Sequence, residues 1–173
     1  PGPISGIDMR VIPVVASTPG AFGSFFRTAV QLHNPSASPA SGRIVFHAQG
    51  TSGSANDPFL PYSLQPRETL YIPDVLVAMG RSGIGGADLV IETGAVPLTA
   101  IRIFDDGGAS GTTGMNEPVF RADEALQAGQ SVLLIAPPDL ALTRFNIGIR
   151  SLVDGLTFDV AVLDERGENV GSV

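Results

Sequence analysis

Apolar side chains fall at every second position along most of this chain, the period of a strand with one face on a core. The pattern is written most clearly twice. Residues 25–34 alternate, a turn follows over Pro35-Ser36-Ala37-Ser38-Pro39, and residues 43–48 return. Residues 144–152 alternate again, turn at Asp154-Gly155, and return over residues 156–164. Both stretches read as β-hairpins, and superposing Phe26 on Phe145 sets Thr28 on Ile147 and Val30 on Ile149. The match raises an internal duplication of residues 25–48 in residues 144–164, set against mere likeness between two hairpins.

Shorter strands fill the rest. Residues 7–15 alternate through Ile7, Met9 and Val11, and Pro13, which has no N–H, places that strand at an edge or at a change of partner. Leu60, Tyr62 and Leu64 define another strand, and residues 69–72 follow a turn at Gln65-Pro66-Arg67-Glu68. Residues 87–92 and 96–104 read as a further hairpin across Thr93-Gly94. Residues 131–136 form an unbroken apolar run stopped by Pro137-Pro138, and a turn at residues 165–168 leads to a last segment, residues 169–173. One helix is expected over residues 74–79, with Asp74 as N-cap and Gly80 as stop. A single helical turn is expected near Asp123, closed at Gly129. About ten strands at this spacing predict an all-β fold, a two-sheet antiparallel β-sandwich of immunoglobulin-like or jelly-roll-like type. Residues 1–15 form an extended arm or edge strand, and residues 16–173 a single domain.

Composition agrees with that class. The 173 residues include 21 Gly and 14 Pro but only 16% charged residues, and every basic residue is Arg. A net charge of −7 without a basic cluster argues against nucleic acid and against an anionic membrane surface. No run approaches the ~20 apolar residues of a membrane-spanning helix. The absence of Cys removes disulfides, thiolate metal sites and Cys nucleophiles. A chain that starts at Pro1, with no charged and apolar leader, is expected where a signal peptide has been removed, which favours secretion; a chain excised by another protease would look the same.

The Phe26-Arg27-Thr28 … Leu32-His33-Asn34-Pro35-Ser36 run, the Pro66-Arg67-Glu68-Thr69-Leu70 turn and the Asp105-Asp106-Gly107-Gly108 loop resemble patterns in predicted secreted bacterial β-sandwich proteins. The resemblance implies bacterial export and a β-sandwich, and brings no catalytic residues with it.

Candidate chemistry is sparse. The Gly-rich loop at residues 105–114 carries Asp105 and Asp106, which with Asn116 and Glu117 would offer hard oxygen ligands to calcium. The plainer reading is a strand-end turn whose carboxylates bond local amides. His33 and His47, on the two strands of the first hairpin, would need a third ligand to hold zinc. No serine sits in a nucleophile elbow. Trp is absent, so a sugar-stacking face would rest on Tyr62 or Tyr71. No cofactor is expected apart from that calcium, and the chain is expected to be non-enzymatic.

The feature of most consequence is apolar content: 43% of residues are hydrophobic, in a chain with no Lys to guard its surface. A GC-rich genome yields the same bias; so does a protein that hides surface against copies of itself. The leading expectation is therefore an extracellular structural subunit that self-assembles at the cell surface into a filament, pilus-like fibre or surface layer. Its residue 1–15 arm would add to an open sheet edge of a neighbour, with Ile7, Met9, Val11 and Val14 as plugs. The same arm pairing at home is the alternative. A monomeric secreted module that binds glycan or protein through residues 50–57 and 105–114 is the second functional expectation.

Overall fold

The computed structural model describes residues 8–108, 111–137 and 147–172. The chain is mostly β: nine strands form one antiparallel sheet and two more form a small separate one. The strands are β1 (Asp8–Pro19), β2 (Phe25–His33), β3 (Ala40–Ala48), β4 (Phe59–Leu64), β5 (Thr69–Ile72), β6 (Gly83–Thr93), β7 (Leu98–Asp106), β8 (Thr112–Glu117) and β9 (Phe120–Arg121). A short helix, α1 (Val75–Ala78), lies between β5 and β6, and β10 (Ala161–Leu163) pairs with β11 (Asn169–Ser172) near the C-terminus.

The sheet runs β4-β3-β6-β1-β2-β7-β8, with β5 on β2 and β9 on β1. Among the described residues, its two arms, β4-β3-β6-β1 and β2-β7-β8, are paired as strands only at Thr18↔Phe26 and Pro19↔Phe25. Where the β1–β2 ladder parts, the buried Thr28 hydroxyl replaces it, accepting from the Ala16 amide at 2.7 Å and donating to the Ala16 carbonyl at 3.0 Å. Backbone groups that lose a strand partner need a substitute when buried, and Thr28 supplies one. Ile12, Val15, Ile44, Phe46, Tyr62, Leu64, Leu89 and Ile91 from the first arm pack in one core with Val30, Leu32, Ile72 and Ile101 from the second. Val75 and Leu76 of α1 close it.

The first hairpin expected from the sequence is not one. β2 and β3 form at the expected places, but β2 pairs with β1, β5 and β7, and β3 with β4 and β6. The connection is an arch between arms, organised by the fully buried Asn34. Its Nδ2 donates to the carbonyls of Ser38 at 2.8 Å and Gln65 at 3.0 Å, and its Oδ1 accepts from the Ser36 amide at 3.0 Å. The Thr93-Gly94 turn likewise separates β6 and β7, which belong to different arms.

Around Pro13, β1 shifts register against β6, between Ile12 and Val15, and on its other side its partner changes from β9 at Arg10 and Val11 to β2 at Thr18 and Pro19. It is an interior strand, with β6 on one side and β9, then β2, on the other. α1 forms as expected, with Asp74 Oδ1 accepting from the amides of Leu76 and Val77. Gly80 at φ +66 ends it, and Arg81 N–H returns to the Leu76 carbonyl at 2.8 Å. A 3-10 turn occupies Ala122–Glu124.

The expected second hairpin does not form as such. Residues 138–146 lie outside the described residues, and no strand runs through residues 147–160. The apolar run at residues 131–136 is also without strand structure, and its Val132, Leu133, Leu134 and Ile135 are exposed. Among the described residues, no helix is long and apolar enough to cross a membrane.

Candidate functional site

Strand alternation gives the β4-β3-β6-β1 arm an outer face opposite the core. Ile44 and Phe46 of β3 point inward, so Val45 and His47 point outward; Leu89 of β6 points inward, so Asp88 points outward beside them. A carboxylate within an apolar strand needs partners, because an isolated buried charge is costly. Asp88 has two. His47 Nε2 lies 2.9 Å from its Oδ2, and Arg150 Nη2 donates to its Oδ1.

Arg150 arrives from the C-terminal third and crosses the sheet at the β1 bulge. Its Nη1 also donates to the carbonyls of Ile12 at 3.1 Å and Ala87 at 2.6 Å. Gly86 makes room for it, since a Cβ there would stand 2.8 Å from Arg150 Cδ. His47 Nδ1 in turn lies 2.7 Å from Asp57 Oδ2, on the loop joining β3 to β4. That loop is closed by the Ser54 amide, which donates to the same Asp57 oxygen at 3.0 Å. Four charged residues from four segments thus meet on one face.

The electrostatics follow from the contacts. The hydrogen bond to Asp88 raises the His47 pKa above its ordinary value; burial opposes this, and the Asp57 bond adds to the rise. Burial pushes Asp88 up, but its bonds and charge pairing with His47 and Arg150 outweigh that and leave it lowered. With a carboxylate at each ring nitrogen, His47 has no free lone pair with which to activate a hydroxyl. The arrangement suits an electrostatic tie between segments. Beside it, Phe46, Ala48, Thr51, Ser52, Asp57, Pro58 and Arg81 line an open cleft of about 360 Å³.

The oxygen ligands expected for calcium do not converge. Asp105 and Asp106 stand opposite Thr113 and Thr112, whereas Asn116 and Glu117 stand opposite Arg102 and Ile101. Three to five strand positions part the two pairs, roughly 10–17 Å. Asp105 accepts from the Phe25 amide at 2.7 Å, and Asp106 pairs with Arg27 at 3.2 Å. Those bonds reach across to β2; the local amide bond expected of a turn is made by Asp106, whose Oδ1 accepts from the Gly108 amide at 3.3 Å. Burial pushes the Glu117 carboxyl up, which disfavours the ionised form a cation needs. Among the described residues, no group of three or more His, Asp or Glu is placed to hold a metal.

His33 on β2 and His47 on β3 lie on strands that do not pair with each other. His33 Nδ1 is 2.8 Å from Thr69 Oγ1, so the two imidazoles share no site. Tyr62 is buried, its hydroxyl on the Val90 carbonyl at 3.2 Å and its pKa raised by burial to about 12, while Tyr71 is exposed. Of the proposed plugs, Ile7 lies outside the described residues; Met9, Val11 and Val14 belong to β1, whose ladder runs along β6 of the same chain, and Val11 is buried. At the β1–β2 tip, Phe22 is fully exposed at φ 58, a conformation unusual for a bulky residue.

Comparison with known proteins returned no matching family model, curated protein or solved structure. Sequence reading passed over Asp88 and Arg150. The signal for Asp88 was present, a lone acid in Ala87-Asp88-Leu89-Val90-Ile91. Arg150 gave none, because its partners lie more than sixty residues away.

Proposed function

We propose that this chain is a non-enzymatic, secreted structural subunit that assembles with copies of itself at the cell surface. In this reading the two arms of the large sheet stack as the layers of a sandwich, with the shared core between them. The observation that carries the reading is the exposure of strand-patterned apolar residues in the C-terminal third. Leu126, Val132, Leu133, Leu134, Ile135, Ile147 and Ile149 all face solvent. A continuous apolar run of strand length asks for burial on both faces, and a neighbouring copy offers it.

The mode of assembly is strand addition, with the donor moved from the N-terminal arm, occupied at home from Asp8 onward, to residues 131–136. The acceptor is β8, which among the described residues pairs only with β7 and contains no proline. The opposite edge strand, β4, is blunted by Pro61. Contacts of this head-to-tail kind extend into a filament when the rotation between copies does not close a ring.

Sedimentation velocity over a dilution series tests the reading. Mass should rise with concentration, and Leu133→Glu with Ile135→Glu should abolish the rise while leaving monomer melting unchanged. A wild-type chain that stays monomeric throughout contradicts it. A binding module for glycan or protein is the second reading, favoured by the exposed Tyr71 and by the open cleft beside Arg81.

A further inference from the structure

We propose that His47 is a pH-dependent clasp that holds the loop joining β3 to β4 closed in acid and lets it open as the pH rises. The proposal stands on proton count. Both ring nitrogens face carboxylate oxygens, Asp57 at 2.7 Å and Asp88 at 2.9 Å. Imidazolium has two N–H donors and satisfies both; neutral imidazole has one and sets a lone pair against the other carboxylate. Loss of the proton therefore costs one of the two contacts.

The surroundings decide which. The groups facing His47 are Asp88 from β6, Asp57 from its own loop and Arg150 from the C-terminal third. Asp88 is fixed in a strand and keeps Arg150 whatever the charge on His47. Asp57 is held otherwise by the Ser54 amide of its own turn, and that bond travels with the loop. The Asp57 contact is thus the one to release. Gly53 lies against the imidazole, where a Cβ would stand 3.0 Å from Nδ1, so the loop closes directly over the ring that controls it. Thr51, Ser52, Asp57 and Pro58 line the open cleft together with Phe46 and Arg81, so release of the loop reshapes that cleft. The raised pKa places the transition above the ordinary histidine value of 6.5.

The test is nitrogen-detected NMR titration of the imidazole on the full chain, from about pH 5 to about pH 9, with amide protection factors followed in parallel. Protection over residues 51–56 should fall several-fold with the midpoint of His47, while the Leu89 amide in β6 holds steady. Asp57→Asn, which keeps the shape and removes the charge, should leave the loop weakly protected at every pH. Three results overturn the proposal: a His47 ring with a single proton at about pH 6, loop protection that stays level through its titration, or pH dependence that survives in Asp57→Asn. If that variant fails to fold, the wild-type titration decides alone.

Discussion

Residues 8–121 and residues 122–172 are written in the same alternating pattern and end differently. In the first, Ile12, Val30, Ile44, Leu89 and Ile101 are buried to 1% exposure or less. In the second, Ile135 is 87% exposed and β10–β11 is the one paired element among the described residues. Alternation says which side chains want a core. It does not provide the neighbouring strands whose amides and carbonyls complete a ladder. The first region supplies its own, nine strands in one sheet with one core; the second brings apolar segments without enough partners, tied to the first through Arg150 at the β1 bulge.

That contrast predicts a steep difference in mutational cost. Leu89→Ala should destabilise by about 2–5 kcal/mol, the range for emptying a packed site, whereas Leu133→Ala should shift a denaturant midpoint within about 0.5 kcal/mol. Equal costs would mean that the second region is buried after all. Asn34→Ala comes next. It strips partners from the Ser38 and Gln65 carbonyls and the Ser36 amide, and should cost about 2 kcal/mol of first-region stability. A neutral result would show that the arch between arms does not need its central amide.

A smaller effect depends on pH. His47 is raised in the folded state, so its contribution is fully present below the unfolded value of 6.5 and is lost as the pH climbs through the folded value. The stability gap between wild type and His47→Gln should therefore be widest in mild acid and shrink above pH 6.5. Asp88, lowered in the folded state, works in the opposite sense: its contribution holds above 3.8 and is lost as the pH falls through its folded value. A gap that widens with rising pH would contradict the placement of His47 between two carboxylates.

Much of the first region was legible in the sequence. β5 falls on the expected residues, β4 and α1 within one or two, and Asp74, Gly80 and Pro13 act as their chemistry predicts. Pairing was not legible, because a period of two fixes the face a side chain takes and not the strand beside it. β2 and β3 were therefore read as a hairpin, although Asn34 sends them to different arms. β8 was read as a Gly-rich loop with ligands beyond it; the ladder offered by β7 overrides the weak local preference of Thr112-Thr113-Gly114. The strands expected at residues 131–136 and 144–152, the latter described from residue 147 onward, show the same limit from the other side. Pattern alone does not make a strand where no partner edge is presented.

Amide hydrogen exchange on the dilute chain tests the central claim most directly. The account predicts that Val30, Ile44, Leu89 and Ile101 exchange only through global opening, while residues 131–136 and 147–153 exchange near the unprotected rate and gain protection as concentration rises. Protection of those C-terminal amides equal to that of β2 and β6 at the lowest concentration would contradict it.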